Sequence, residues 1–64
     1  MAFYVYRDGY SFGIAEGDPN LALELRNRGY DLFDRPLETR EEAEKEKTNW
    51  ERRVLAARQQ GVKL

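Results

Sequence analysis

The chain has no cysteine and no histidine. Without cysteine there are no disulfides, and without either residue a structural zinc site loses its usual ligands. The same absences remove Cys–His and Ser–His–Asp chemistry and the commonest general base. Carboxylates remain for acid–base work, but no metal motif, glycine-rich phosphate loop or nucleophile elbow accompanies them. The expectation is a protein that is not an enzyme and carries no cofactor or metal. An excess of one charge is also missing: 11 Lys and Arg stand against 12 Asp and Glu, for a net charge of −1. A dedicated duplex-binding domain is usually clearly basic, so the balance speaks against nucleic acid as the main partner. No apolar run approaches the length of a membrane span or a signal-peptide core, which leaves a cytoplasmic location as the default and no membrane contact expected. Repeats, linkers and low-complexity tracts are lacking too.

What is present fits one small domain over residues 1–64. A chain of this length buries only about 60% of its unfolded surface, so its own core is marginal. With disulfides and zinc removed, the remaining reinforcements are a tight mini-core and oligomerisation. Ala2 to Arg7 is aromatic and β-branched, which is strand composition. Asp8-Gly9 signals a hairpin, and Tyr10 to Glu16 reads as the return strand. Gly13 inside that strand predicts a bulge or a close backbone approach. Alternation puts Phe3 and Val5 on one face and Tyr4 and Tyr6 on the other, with Tyr10, Phe12 and Ile14 separated from Ser11, Gly13 and Ala15.

Asp18-Pro19 opens a helix over Asn20 to Arg28, with Leu21 and Leu25 at i, i+4 and Gly29 as a left-handed stop. Tyr30 to Phe33 is a short third strand, broken by Asp34-Arg35-Pro36. Thr39-Arg40-Glu41-Glu42 is a capping box that starts a long helix from Arg40 to Gln60, closed by Gly61. Its inward stripe is Ala43, Trp50, Val54 and Ala57. Glu41, Glu42 and Glu44 near its start, and Arg52, Arg53 and Arg58 near its end, suit the helix dipole. The fold class is therefore α+β, ββαβα: a three-stranded antiparallel sheet with helices on one face and a long C-terminal helix. Residues 1–47 form the ββαβ core and the start of the last helix, and 48–64 form a helical extension. About 20 helical residues span roughly 30 Å, whereas strands of five or six residues span roughly 17–20 Å. The helix must overhang the sheet, so it either pairs with another subunit or bends back over the strands.

Phe3-Tyr4-Val5-Tyr6-Arg7-Asp8-Gly9-Tyr10-Ser11-Phe12-Gly13-Ile14 resembles the opening F-Y-x-V-x-x-G-x-x-x-G-[IV] of the viroplasmin-like domain, the N-terminal hybrid-binding domain family of ribonuclease H1. Leu37-Glu38-Thr39-Arg40-Glu41-Glu42-Ala43 resembles that family's F-x-T-x-x-E-A at the start of its last helix. The two motifs lie at near-family spacing, and the resemblance covers roughly Phe3 to Lys47. It implies a three-stranded antiparallel sheet packed by helices, in a unit that binds RNA–DNA hybrids or double-stranded RNA without cutting them. Tyr4 matches an aromatic of the first strand, and Gly9 to Gly13 match a loop whose backbone lies near the nucleic acid. The chain departs from the family where Tyr10-Ser11 stand for a basic pair, where a Trp near Asp18 is absent, and where Arg35-Pro36 replace a Lys pair. The resemblance thus implies the fold more fully than the ligand.

Three groups of residues are candidate sites. Tyr4, Tyr6 and Tyr10 could stack on bases or form a protein interface if one sheet face is open. Arg52, Arg53, Arg58 and Lys63 leave the last stretch positive, with no acid to balance it. The cluster Glu38, Glu41, Glu42, Glu44 and Glu46 reads as a solvated face, with Glu41 against Lys45 as an i, i+4 pair. The leading expectation is a small, self-associating binding protein. It would engage a protein partner, or sequester a small anionic, nucleotide-like ligand, through its aromatic sheet face or C-terminal helix. Compact chains of this kind are typical of phage or prokaryotic accessory proteins. The binding residues are Tyr4, Tyr6, Arg7, Tyr10, Arg35, Arg52 and Arg53, and the homo-oligomer interface is Trp50, Val54, Leu55 and Ala57. The alternative is a nucleic-acid-binding module in which Arg7, Arg35, Arg52 and Arg53 meet phosphates and Tyr4 meets a sugar or base.

Overall fold

Strand β1 (Ala2–Asp8) and strand β2 (Ser11–Gly17) form a tight hairpin. Gly9 is the only turn residue with positive φ, at 65°, which is the pattern of a type II′ turn with glycine at its first central position. The computed structural model describes the backbone of residues 1–61 and the side chains of 1–59. Helix α1 (Pro19–Asn27) follows, then β3 (Asp31–Leu32) and helix α2 (Arg40–Gly61). The sheet order is β2-β1-β3, with both pairings antiparallel. After β3 the chain keeps to the edge of β1. Phe33 N–H donates to the Val5 carbonyl at 2.8 Å, and Phe3 and Leu37 exchange both backbone bonds at 2.8 and 2.9 Å.

Local chemistry sets the helix ends. Asp18 Oδ1 accepts from the Asn20 N–H at 3.0 Å, and Pro19 occupies the first turn. At the far end, Gly29 has φ 92°, the Gly29 N–H donates to the Arg26 carbonyl, and the Tyr30 N–H donates to the Leu25 carbonyl. These are the paired bonds of a Schellman motif, which needs a left-handed residue at Gly29. Thr39 Oγ1 accepts from the Glu42 N–H at 3.1 Å and starts α2 as the capping box predicts.

The register Val5↔Ile14, Arg7↔Phe12 and Tyr4↔Ala15 confirms the expected alternation. Phe3, Val5, Phe12 and Ile14 share one face with Phe33 and Leu37. There α2 packs, around a core of Val5, Leu37 and Ala43 flanked by Phe3, Ile14, Phe33 and Trp50. Tyr4, Tyr6 and Ala15 share the other face. That face is not bare: Tyr4 is only 9% exposed and Leu25 of α1 only 6%. α1 contacts all three strands, and among the described residues the two helices do not touch.

The α+β class, the antiparallel three-stranded sheet and the long C-terminal helix stand as expected. The placement of both helices on one face does not: they cover opposite faces. An antiparallel sheet can leave one side to water only if that side is polar. Here alternation gives Phe and Val to one side and Tyr and Ala to the other, so each side needs its own helix. Gly13 makes no bulge. It answers to the close-approach alternative, because a β-carbon there would lie 2.9 Å from Tyr6 Cε2.

The first half of α2 lies on its own sheet and the second half runs past it. Ala43 is fully buried, Trp50 and Val54 are half-buried, and Ala57, on the same stripe, is exposed. The apolar stripe is thin because Glu46, Lys47 and Glu51 fill its margins with half-buried stems. No described helix is long and apolar enough to cross a membrane.

Candidate binding surface

The tyrosines expected on an open sheet face are placed differently from one another. Tyr4 is part of the core beneath α1, so its ring is unavailable to a ligand. Tyr6 is half-buried and stacks on Tyr30, with centroids 5.2 Å apart and planes 15° from parallel. Tyr10 leaves the sheet altogether: it sits in the hairpin turn, 67% exposed, with the Arg58 guanidinium carbon 4.3 Å above its ring centroid. The three tyrosines therefore do not form one open aromatic face. The role of Tyr30 was missed because a stacking partner 24 positions away leaves no mark on local periodicity.

The arginines divide into tied and untied groups. Arg7 lies on the α2 face, paired to Asp31 at 3.1 Å, and its Nε is buried without a hydrogen-bond partner among the described residues. Arg35 sits over the Phe33 ring at 5.6 Å and reaches Glu46 at 3.6 Å. Arg40 covers Phe3 at 5.7 Å and meets Glu44 at 3.8 Å. With Arg58 on Tyr10, three arginines rim the aromatic side of the core. Planar guanidinium groups suit this role, because they stack on rings while their edges stay hydrated. Arg52 and Arg53, like Arg26 and Arg28 at the end of α1, are exposed and pair with no described carboxylate. They line an open groove of about 450 Å³ along α2 with Glu46 and Asn49.

The expected oligomer residues split as well. Trp50 is committed to its own sheet, edge-on to Phe12 at 5.2 Å and tilted against Phe33 at 6.2 Å. The indole packs against the flank of the chain's own core and keeps part of its surface exposed. Val54 is half-buried beside it. Leu55 is 50% exposed and Ala57 is exposed, on different sides of the helix. The acidic cluster is mostly exposed, and its ion pairs among the described residues are Arg40–Glu44 and Arg35–Glu46, not Glu41–Lys45. Lys63 lies outside the described residues.

The outer C-terminal half of α2 thus carries an exposed positive patch, Asn49, Arg52 and Arg53, with Leu55, Ala56 and Ala57 exposed around them. It offers charge-assisted donors beside the Glu46 carboxylate, with a small apolar margin. Comparison with protein-family models, curated proteins and solved structures finds no match to the chain.

Proposed function

We propose that the protein is a non-enzymatic, self-associating binding module that engages an acidic protein surface through the C-terminal half of α2. One observation carries the reading: Arg52 and Arg53 flank a groove with no described carboxylate paired to either, while Arg7, Arg35 and Arg40 are all tied to acids. From Arg52 to Gln59 the helix holds three arginines and no acid. A groove lined by one convex helix cannot enclose a small molecule, since ligand pockets bury most of their guest. A protein surface has no such need, and acidic patches meet arginines at a wet, charged rim. Sequestering a nucleotide there would require a second subunit to close the groove. The burial of Tyr4 and the pairing of Arg7 support the protein-partner reading over the nucleic-acid one.

Self-association is supported by the size of the core. Among the described residues the buried ones are Tyr4, Val5, Leu25, Leu37 and Ala43, of which two are small or short. So small a core leaves little margin over the conformational entropy of the chain.

The test uses the full chain against a labelled poly-glutamate peptide and, separately, a short RNA–DNA hybrid. Saturable peptide binding that falls at least tenfold in the Arg52→Glu/Arg53→Glu variant is expected. Absence of peptide binding at low salt overturns the reading. Tight hybrid binding that collapses between about 50 and 200 mM salt puts the nucleic-acid module in its place.

A further inference from the structure

The two edges of the sheet are built differently. The β3 edge is short and guarded: β3 is only Asp31–Leu32, and the chain then loops through Asp34, Arg35 and Pro36 before touching β1 again at Leu37. Short strands, charges and proline are the ordinary means of blunting an edge. β2 is guarded far less. It runs seven residues, Ser11–Gly17, in unbroken register with β1, with no proline, no lysine and no bulge, and Glu16 is its one charged side chain.

The backbone bonding shows what that edge offers. Phe3 and Val5 direct their backbone bonds away from β2, toward Leu37 and Phe33. Antiparallel strands alternate bonded and non-bonded pairs. The residues of β1 bonded to β2 are therefore the even ones, and their partners Ser11, Gly13, Ala15 and Gly17 face inward. The N–H and C=O groups of Phe12, Ile14 and Glu16 then point outward. Among the described residues no backbone or side-chain group bonds to them. The side chains leave room for a neighbour: on the α1 face β2 carries only Ser11, Gly13, Ala15 and Gly17, and on the α2 face Phe12 and Ile14 are half-exposed at the rim.

We propose that β2 pairs antiparallel with β2 of a second copy of this chain, giving a continuous six-stranded sheet across a two-fold axis at Ile14. This rests on the self-association reading and names its surface. The register sets Ile14 opposite the partner's Ile14 and Phe12 opposite the partner's Glu16, so every outward group on the three residues is satisfied and no like charges face each other. The edge is self-complementary in this arrangement, as a two-fold interface must be. The guarded β3 edges then end the sheet on both sides, so the assembly closes at two chains rather than growing into a fibre.

The test reads mass and amide exchange on the full chain. Light scattering from about 10 μM to 1 mM is expected to give twice the 7.6 kDa chain mass at the upper end. Over the same range the amides of Phe12, Ile14 and Glu16 should slow their hydrogen exchange tenfold or more. Glu16→Pro removes an outward N–H and should return the mass to that of one chain, with circular dichroism reporting whether the fold persists. A wild-type monomer at 1 mM overturns both this proposal and the self-association reading. A dimer without protection at those three amides, or one that a folded Glu16→Pro chain retains, overturns the edge pairing alone and leaves self-association standing. If Glu16→Pro fails to fold, the wild-type exchange decides.

Discussion

The indole of Trp50 meets the ring of Phe12 edge-on, with centroids 5.2 Å apart and planes at 78°. This contact anchors the middle of α2 to β2, the edge strand, while Ala43 anchors its start to Val5 and Leu37. Trp50→Ala should lower stability by about 2–4 kcal/mol, toward the low end of the range for large aromatics because the ring is half-buried. Urea denaturation checks it, and an unmoved midpoint would mean that α2 presents a different side to the sheet.

Gly13 should reject a side chain although it lies in a regular strand. Alanine normally improves on glycine there, but its methyl would collide with the Tyr6 ring. Gly13→Ala is expected to cost about 1–3 kcal/mol, and much less in a Tyr6→Ala background. A stabilising Gly13→Ala would place the Tyr6 ring elsewhere.

Thr39→Ala should cost about 1 kcal/mol by leaving the Glu42 N–H without its side-chain acceptor. Thr39→Ser, which keeps the hydroxyl, should recover most of the loss in thermal melts.

Tyr10 and Arg58 should be coupled by about 0.5–1 kcal/mol in a double-mutant cycle of Tyr10→Ala and Arg58→Ala. Zero coupling would show that the end of α2 is not held at the hairpin turn.

Features encoded by neighbours in the chain were legible in the sequence. The caps at Asp18 and Thr39, the glycine stop at Gly29 and the face-sharing of Phe3 with Val5 each depend on a few adjacent residues. The sidedness of the helices was not. Alternation says that Tyr4 and Tyr6 share a face, but it does not say which helix covers them. The expected open tyrosine face is not found for that reason: the same composition describes an open stacking platform and a covered half of the core. Arg52 and Arg53 were legible as unbalanced charge, whereas the tying of Arg7 to Asp31 and Arg35 to Glu46 depends on chain segments that meet only in the fold. The open edge of β2 left no sign in the sequence, because hydropathy describes side chains and the edge is a property of backbone hydrogen bonds.

The central strand precedes, in chain order, every segment that covers it. β1 and β2 are complete by Gly17, but the segments that shield the phenylalanine side, Leu37, Ala43 and Trp50, come in the second half of the chain. A hairpin without those segments keeps an apolar flank, Phe3, Val5, Phe12 and Ile14, with no helix over it. Partly folded species that expose such a flank are prone to aggregate. A premature stop before Ala43 would release two layers of a three-layer protein, with only Leu37 and the neighbouring phenylalanines left against Val5.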